Sequence, residues 1–505
     1  MVPCALVLAL AALFRIVLPI RTDVFLDETY YVDLSTSLRQ GHYPPQFQNE
    51  GVFLLHPPLF FLFGGAWQWL ERSGGNYFQL VDSMRLLEAI FAVATAGLIF
   101  LITRRLSGSL YGLAAGVLFS IEPYILRENG RVLLETPALA FVMAGYFLLF
   151  GISRDSQVRS ATATPHSGLR SSLQAVCAGL VLGLGIVTLE ITAIVIIGPL
   201  LVLIWRRWCF ARRFSVIALL GTIAPYGAFL VSLGVTHHFQ TYAAQIELGF
   251  KRILGYQRES GFTRSGAPSL VHSLTSQISS FGTTYLLVAF GVLAAAYLLF
   301  RGNEDFKLIG VVVLFAAVSI LYDGLFGTLE EQFLYVLLVP TFIAVASAAF
   351  VLNQNPPHQR RLRVSQEVVH RLSVLVGAVF VAMTLYDIGA WAIARSRPDD
   401  GLARVVAYLK KDVPDPGVVA SNALAGVYVL GHNGIRSMPL IAPGPAASAH
   451  VRYFVLLSAE LPVSYGFIDA QQALWYEARG RVVFSFAEPT YGRVVVYETT
   501  NPAAW

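Results

Sequence analysis

Apolar runs long enough to cross a bilayer recur along the first four fifths of the chain, separated by short polar segments. They lie near residues 2–20, 54–70, 86–103, 109–126, 136–152, 173–189, 191–205, 215–234, 284–300, 308–326, 333–352 and 372–394. A helix needs about 20 apolar residues to span the hydrocarbon core. The pattern therefore predicts an all-α polytopic membrane protein over this part of the chain.

The run at 54–70 differs from the others. It opens with His56-Pro57-Pro58 and ends in Trp67-Gln68-Trp69, a composition typical of a helix at the headgroup level. The charges of the loops support an interfacial position for this run. The clusters of basic residues at 104–105, 154–170, 206–213, 301–307 and 360–371 all fall on the cytoplasmic side, as the positive-inside rule favours, only if this run does not span the membrane. The sequence predicts about eleven spans, with the N-terminus cytoplasmic and the C-terminus extracytoplasmic.

The pattern changes after residue 395. Residues 399–411 form an amphipathic pattern opened by aspartates, which predicts a helix. Strand-like runs and one more helical stretch follow, at 417–421, 452–458, 469–479, 481–486 and 493–498. We therefore expect two domains: a membrane domain over 1–395, with outer loops at 21–85 and 235–283, and a small extracytoplasmic α/β domain over 396–505.

Composition narrows the class of protein. Hydrophobic residues make up 55% of the 505 residues and charged residues 13%, with mean hydropathy +0.61, whereas an ordinary soluble protein has about 25% charged residues. A soluble enzyme, a disordered chain and a nucleic-acid binder are excluded. The net charge of +5 resides mostly between apolar runs. Cys4, Cys177 and Cys209 have no metal-binding or disulfide spacing.

Carboxylates are concentrated just after the first apolar run. Asp23, Asp27, Glu28 and Asp33 lie within eleven residues and among aromatic residues. Carboxylates close to hydrocarbon are costly and by default mark function, and two side by side raise one pKa, which improves a general base. The other interpretation is helix capping by Asp27 and Glu28, and both can hold together.

Further candidates occupy the other outer loops. The second outer loop contains Arg131 and Glu135, and a glutamate at a helix start can simply be a favourable N-terminal charge. His56 lies at the interface, where a lone histidine is more often hydrogen-bonded than catalytic. Other outer-loop candidates, each with a solvated loop as the plain alternative, are Glu190, Arg252, Arg258 and Glu331.

An ordered series of motifs resembles the GT-C glycosyltransferases. Phe25-Leu-Asp-Glu-Thr-Tyr-Tyr, Gly41-His-Tyr-Pro44, His56-Pro-Pro-Leu and Arg85-Leu86 are similar to the branch with protein O-mannosyltransferases and the lipid A aminoarabinose transferase. Arg15 stands where that branch has an arginine in the first span. The chain departs from it at four places, since His56 and Leu189 replace lysines, Glu135 an aspartate and Gln332-Phe333 an Arg-Tyr pair.

The resemblance implies transfer of a sugar from a polyprenyl-phosphate donor to a lipid, glycan or protein acceptor on the outer side, with inversion. Asp27 would be the general base, and Glu28 would orient it or help to hold a divalent ion. Glu135 would contact the acceptor or, with Asp27, a magnesium or manganese ion; no other cofactor is implied. The residues expected to bind substrate are Tyr30, Tyr31, His56, Arg131, Glu190, Arg252, Arg258 and Glu331.

Three alternatives stay open. A transporter or flippase of lipid-linked sugars should place ionisable residues near the midplane of its spans, where only Arg15, Asp323 and Asp387 come close. An asparagine-directed oligosaccharide transferase would show a Trp-Trp-Asp element, which the C-terminal region lacks. A structural subunit would need no paired carboxylates.

The composition favours a bacterial plasma membrane.

Overall fold

The computed structural model describes residues 2–47, 51–72, 76–159, 167–253, 275, 278–325, 331–354, 366–440, 446, 449–461 and 467–499. The helices are α1 (Val2–Ala12), α2 (Leu26–Arg39), α3 (Leu59–Leu70), α4 (Tyr77–Ser107), α5 (Ser109–Ile121), α6 (Pro123–Glu128), α7 (Glu135–Arg159), α8 (Ser167–Thr188), α9 (Ala193–Arg206), α10 (Arg212–Val235), α11 (Phe239–Ile253), α12 (Ile278–Arg301), α13 (Glu304–Leu325), α14 (Leu334–Gln354), α15 (Gln366–Ser396), α16 (Gly401–Lys411), α17 (Leu424–His432) and α18 (Ala470–Glu477). A π-helical turn, Leu13–Val17, continues α1.

The strands are β1 (Gln46–Phe47), β2 (Gly51–Val52), β3 (Val419–Ser421), β4 (Ser437–Pro439), β5 (Tyr453–Leu457), β6 (Gly480–Glu488) and β7 (Gly492–Thr499). Short 3₁₀ turns occur at Glu190–Thr192, Glu331–Phe333 and Ser458–Glu460.

The membrane part is a bundle of apolar helices, as the hydrophobic pattern predicts. Within the described ranges, eight helices are long and apolar enough to cross a membrane, and Val2–Val17, Leu59–Leu70 and Ser109–Ile121 are shorter apolar helices. The chain is a multi-pass membrane protein. Helix α3 has 12 residues, about 18 Å at 1.5 Å per residue, which agrees with an interfacial helix. The predicted eleven spans exceed the eight by α1, α5 and the 14-residue α9.

Glycines allow α8 and α10 to pack closely. A Cβ atom on Gly179 of α8 would overlap the carbonyl oxygen of Ala218 in α10, and one on Gly183 would overlap that of Thr222. Since helices in a bilayer associate through close packing of small residues, these two positions allow α8 and α10 to touch along their backbones.

The C-terminal unit, which we define as residues 401–499, is built on a five-stranded sheet with the order β4-β3-β5-β7-β6. Strand β3 is parallel to β4 and β5, whereas β7 is antiparallel to β5 and β6. The predicted α/β character is confirmed. Strand β4 and helix α17 were not predicted.

The C-terminal unit packs on α2 and on the segment that leads into it, residues 21–25, which we call the entry segment. The hydroxyl of Tyr491 donates to the carbonyl oxygen of Val24 (2.6 Å), and Nε2 of His432 lies 2.9 Å from Oδ2 of Asp33. One buried apolar cluster also runs from α2, α3 and α4 into α16, α17 and β7. Helix α2 is therefore held between the membrane bundle and the sheet.

Candidate active site

Asp27 and Glu28 form the first turn of α2, where the helix dipole favours negative charge. The backbone of Phe25 is extended, and its N–H donates to Oε2 of Glu28 (2.9 Å). Glu28 therefore caps the helix, as the capping interpretation of the sequence predicts. Asp27 is half-buried and directly precedes Glu28 in the sequence. The cap made by Glu28 therefore also fixes the backbone at Asp27.

Glu28 is fully buried and paired with an arginine from α4. Nε of Arg85 donates to Oε1 of Glu28 (2.8 Å) and Nη2 to Oε2 (2.7 Å). The N–H of Val132 also donates to Oε1 (2.9 Å). With the cap from Phe25, the carboxylate of Glu28 accepts four hydrogen bonds. This geometry ties α2, α4 and the second loop (residues 129–134) together.

Arg85 extends the same tie to the entry segment. Its Nη1 donates to the carbonyl oxygen of Thr22 (2.9 Å) and its Nη2 to that of Asp23 (3.1 Å). Because the guanidinium is planar with its donors in a fixed fork, these bonds fix the path of residues 22 and 23 relative to Glu28. The first turn of α2 thus has a rigid frame.

The second loop places a buried cation next to this frame. Arg131 is 4% exposed, its guanidinium carbon lies 4.8 Å from the ring centre of Phe25, and Nη1 is 3.8 Å from Oε1 of Glu128. Nε of Arg131 has no hydrogen-bond acceptor in the described part of the chain. A buried donor of this kind is costly unless it is satisfied, which indicates an anion-binding position.

Glu135 begins α7 directly after the second loop and is 2% exposed. It lies near Glu88 of α4, which is fully buried. Asn129 connects this loop to the bundle, because its side chain accepts from Nε of Arg15 (2.8 Å) and donates to the hydroxyl of Tyr335 (2.9 Å). The predicted Glu135 is therefore buried at the start of α7, near a second buried carboxyl group.

His56 and Glu190, two candidates 134 residues apart, are neighbours. Nδ1 of His56 lies 3.4 Å from Oε2 of Glu190, and both side chains are about a quarter exposed. The ring of Tyr31 meets that of His56 edge to face at 6.2 Å. Tyr30 stacks on Phe47 at 4.2 Å. Tyr31 faces α3, where it also contacts Phe60 and Phe61, whereas Tyr30 faces the C-terminal unit.

The remaining predicted residues cannot be placed in the site. Arg258 lies outside the described residues. Arg252, at the end of α11, and Glu331, in a 3₁₀ turn, have described backbones only. Within the described ranges, no group of three or more His, Cys, Asp or Glu side chains could hold a metal ion. The assignment of Asp27 and Glu135 as ligands of magnesium or manganese stays a prediction.

The sequence interpretation missed the contribution of the C-terminal unit. The hydroxyls of Tyr428 and Tyr30 lie 3.4 Å apart, and His432 stacks on Tyr77 at 4.2 Å while contacting Asp33. A small cleft beside Asp27 is lined by Phe25, Leu26, Ala423, Leu424, Ala425 and Glu460. No local sequence signal marks these residues, because their contacts join positions about 400 apart.

Comparison with known proteins agrees with the resemblance to glycosyltransferases that the sequence motifs indicate. The family of dolichyl-phosphate-mannose-protein mannosyltransferases matches residues 50–243. No curated protein matches the sequence.

Solved structures share the fold over almost the whole chain. The apo oligosaccharyltransferase of Archaeoglobus fulgidus is 14% identical, with a TM-score of 0.63 and coverage of 99% of this chain and 74% of that one. The same organism's oligosaccharyltransferase AglB, in complex with an inhibitory peptide and a dolichol-phosphate, is 12% identical with a TM-score of 0.60 and the same coverage. ArnT from Cupriavidus metallidurans bound to undecaprenyl phosphate is 12% identical, with a TM-score of 0.55 and coverage of 99% and 98%.

The predicted resemblance to GT-C glycosyltransferases is therefore confirmed, by a family domain over residues 50–243 and by the fold of the chain. The predicted enzyme class, a glycosyltransferase, is confirmed by the same family domain.

Proposed function

We propose that the chain is an inverting glycosyltransferase that moves a sugar from a polyprenyl-phosphate donor to an acceptor hydroxyl on the extracytoplasmic side. Asp27 takes the proton of the acceptor hydroxyl as its oxygen bonds to the anomeric carbon. The bond from that carbon to the phosphate oxygen breaks, and polyprenyl phosphate leaves with the electron pair. One displacement of this kind inverts the anomeric centre.

The observation that carries this proposal is the four-bond frame around Glu28. The carboxylate of Glu28 accepts two bonds from Arg85 and two from backbone N–H groups, and its side chain is fully buried. Its oxygens are therefore occupied in holding the turn and do not face an acceptor hydroxyl. Asp27, its half-buried neighbour on the same helical turn, is the carboxylate of the pair that suits the base, and Glu28 positions it.

The leaving phosphate needs positive charge, which works best when it is already in place and poorly hydrated. Arg131 meets both conditions, since it is buried and packs over Phe25, two residues before Asp27. A phosphate oxygen would satisfy its buried Nε. His56, in the segment before α3, would supply a second donor. Binding of the phosphate would thus offset the cost of burying the Arg131 cation here.

The small cleft between the entry of α2 and the C-terminal unit has room for about one water molecule. Its one ionisable residue is Glu460, and burial raises the pKa of this carboxyl to about 7. At neutral pH the group is divided between its acid and carboxylate forms, so it can donate to or accept from a hydroxyl.

Transfer from a panel of radiolabelled polyprenyl-phosphate sugars by the purified full-length protein tests the assignment. Asp27→Asn keeps size and hydrogen bonding but removes the base, so we expect at least a 100-fold loss of transfer with donor binding retained. Asp412→Asn, at an exposed position after α16, should transfer at the wild-type rate.

Equal activity of wild type and Asp27→Asn would contradict the assignment of the base and direct attention to Glu135. Failure of the wild type to turn over any donor while still binding one would favour the transporter. That rival has some support, because Arg15, Glu88, Glu122, Asp323 and Asp387 are all buried. Several of them are hydrogen-bonded within the bundle, as Asp387 is to Thr283 (2.6 Å), which fits a fixed scaffold.

A further inference from the structure

Two carboxyl groups meet where the entry segment touches the C-terminal unit. Asp23 is 3% exposed and Glu488, at the end of β6, is 8% exposed. The Asp23 carboxyl accepts from the N–H groups of Val24 (2.8 Å) and Leu402 (2.7 Å), and Oε2 of Glu488 accepts from that of Gly401 (2.5 Å). The two carboxyls lie within hydrogen-bonding reach of each other.

A contact between two buried carboxyls requires a proton, because two like charges this close cannot both ionise. Oε1 of Glu488 accepts no N–H or O–H from the described residues. Asp23 accepts two backbone N–H bonds and Glu488 one, and such bonds favour the charged form. The proton therefore resides on Glu488 and is donated to Asp23.

The charged groups around this pair do not remove the need for the proton. Asp399 is a third nearby carboxyl and already accepts from the N–H and hydroxyl of Thr490. Arg85 reaches only the backbone carbonyl of Asp23, since its charge is paired with Glu28. The hydroxyl of Tyr491 is also near Asp23 and donates to Val24. Glu460 and Arg131 also lie near that tyrosine.

The pair is mechanically close to the proposed base. Asp23 is four residues before Asp27, and its backbone is held by Arg85, which also holds Glu28. A C-terminal unit that releases Asp23 would release the entry segment from one side. Of the side-chain contacts from the C-terminal unit to the entry segment, the bond from Tyr491 to Val24 would then remain.

We propose that the C-terminal unit positions the catalytic turn of α2 through a single proton, which Glu488 holds and donates to Asp23. Glu488 is a positioning residue in this scheme, and it contacts no substrate. The effect on transfer rests on the proposed function. The docking itself is a property of the fold and does not depend on it.

The contact weakens as the pH rises. Burial and the neighbouring Asp23 raise the pKa of Glu488 from its usual value of 4.5 to about 9. A carboxyl with a raised pKa in the docked state contributes its full stabilisation below its ordinary pKa and loses it as the pH approaches the raised one. Docking should therefore weaken by up to tenfold per pH unit between about 4.5 and 9.

Glutamine is the matched replacement for a protonated glutamate. In Glu488→Gln the amide oxygen can accept from Gly401 and the amide NH₂ can donate to Asp23, without a proton to lose. Glu488→Ala removes both contacts. Glu477→Gln, a half-exposed glutamate on α18, is the control for the change of charge.

Hydrogen exchange of peptides covering 21–27 and 400–404 measures docking without any sugar donor. Wild type and Glu488→Gln, compared at the same pH, should agree near pH 5. Their protection should diverge at least tenfold by pH 9, with the glutamine variant the better protected. Glu488→Ala should be poorly protected throughout, and Glu477→Gln should follow wild type. The transfer rate of an active preparation should show the same order.

Identical pH profiles for wild type and Glu488→Gln would overturn the shared proton, and full protection in Glu488→Ala would overturn the positioning role. Divergent exchange in a protein that transfers no sugar would uphold the proton contact and contradict the proposed function. The two hypotheses therefore fail separately.

Discussion

Replacing Arg85 with methionine isolates the buried ion pair that frames the first turn of α2. The Arg85 side chain is 14% exposed and that of Glu28 is 0% exposed, so screening by solvent is slight. The substitution removes two bonds to Glu28 and those to the carbonyl oxygens of Thr22 and Asp23. It leaves a buried carboxylate without its counter-charge.

Removing one partner of a buried pair costs about 3–5 kcal/mol. At about 1.4 kcal/mol per factor of ten, the equilibrium ratio of the ordered to the opened turn falls by roughly 100- to 4000-fold. Hydrogen exchange of the peptide 22–29 in detergent measures this opening directly, and the transfer rate should fall with it once the ordered state is no longer dominant.

The double variant Arg85→Met/Glu28→Gln provides the decisive comparison. Glu28→Gln alone leaves the arginine without its counter-charge, whereas the double variant leaves no unpaired charge. Its cost should therefore be smaller than the sum of the two single costs by at least about 2 kcal/mol, roughly 30-fold in opening. The exposed pair Lys251 and Glu247, with side chains 53% and 65% exposed, should show a coupling below about 0.5 kcal/mol.

Strict additivity of the two buried substitutions would refute the reasoning. It would mean that Arg85 and Glu28 stabilise the turn independently, through packing and backbone contacts. A single Arg85→Met variant with wild-type protection of 22–29 would refute it as well, because the frame would then not depend on the guanidinium.

Two further predictions concern the surroundings of α2. Gly65→Ala should destabilise the protein by about 1–3 kcal/mol, because the added Cβ would lie 2.8 Å from the carbonyl oxygen of Ser35 on α2. Gly227→Ala, with open space around it, should be neutral or slightly stabilising, and thermal unfolding in detergent separates the two. His432→Phe keeps a ring against Tyr77 but removes the contact with Asp33. We expect the docking of α17 to weaken by about 1–3 kcal/mol, so proteolysis near residues 396–440 should become faster. Unchanged proteolysis would show that apolar packing alone holds α17 in place.

The local elements could be predicted because their signals are local. Runs of apolar residues became helices, and the strands at 453–457, 480–488 and 492–499 lie where β-branched and aromatic residues alternate. Strand β4 was missed because three residues, Ser437–Pro439, carry too little pattern. Three of the predicted spans coincide with helices shorter than 18 residues, α1 with its π-helical turn, α5 and α9, because hydropathy shows where apolar residues occur and not how long each helix becomes.

The site could be predicted only in part, for a related reason. Density of carboxylates pointed to Asp27 and Glu28, since charge near hydrocarbon is costly wherever the chain goes. The partners of Glu28 are 57 and 104 residues away, and Leu402 is 379 residues from Asp23. Such pairings are set by tertiary packing. An acidic residue at a strand end, such as Glu488, gives the sequence no reason to expect burial.

The hydrogen bond from Tyr491 to Val24 joins residues 467 positions apart. Val24 is therefore synthesised 467 residues before the tyrosine that contacts it. During synthesis the entry segment waits for the hairpin of β6 and β7 before its surroundings are complete. A chain truncated before β7 lacks this closing contact, so we expect its entry segment to be less well ordered.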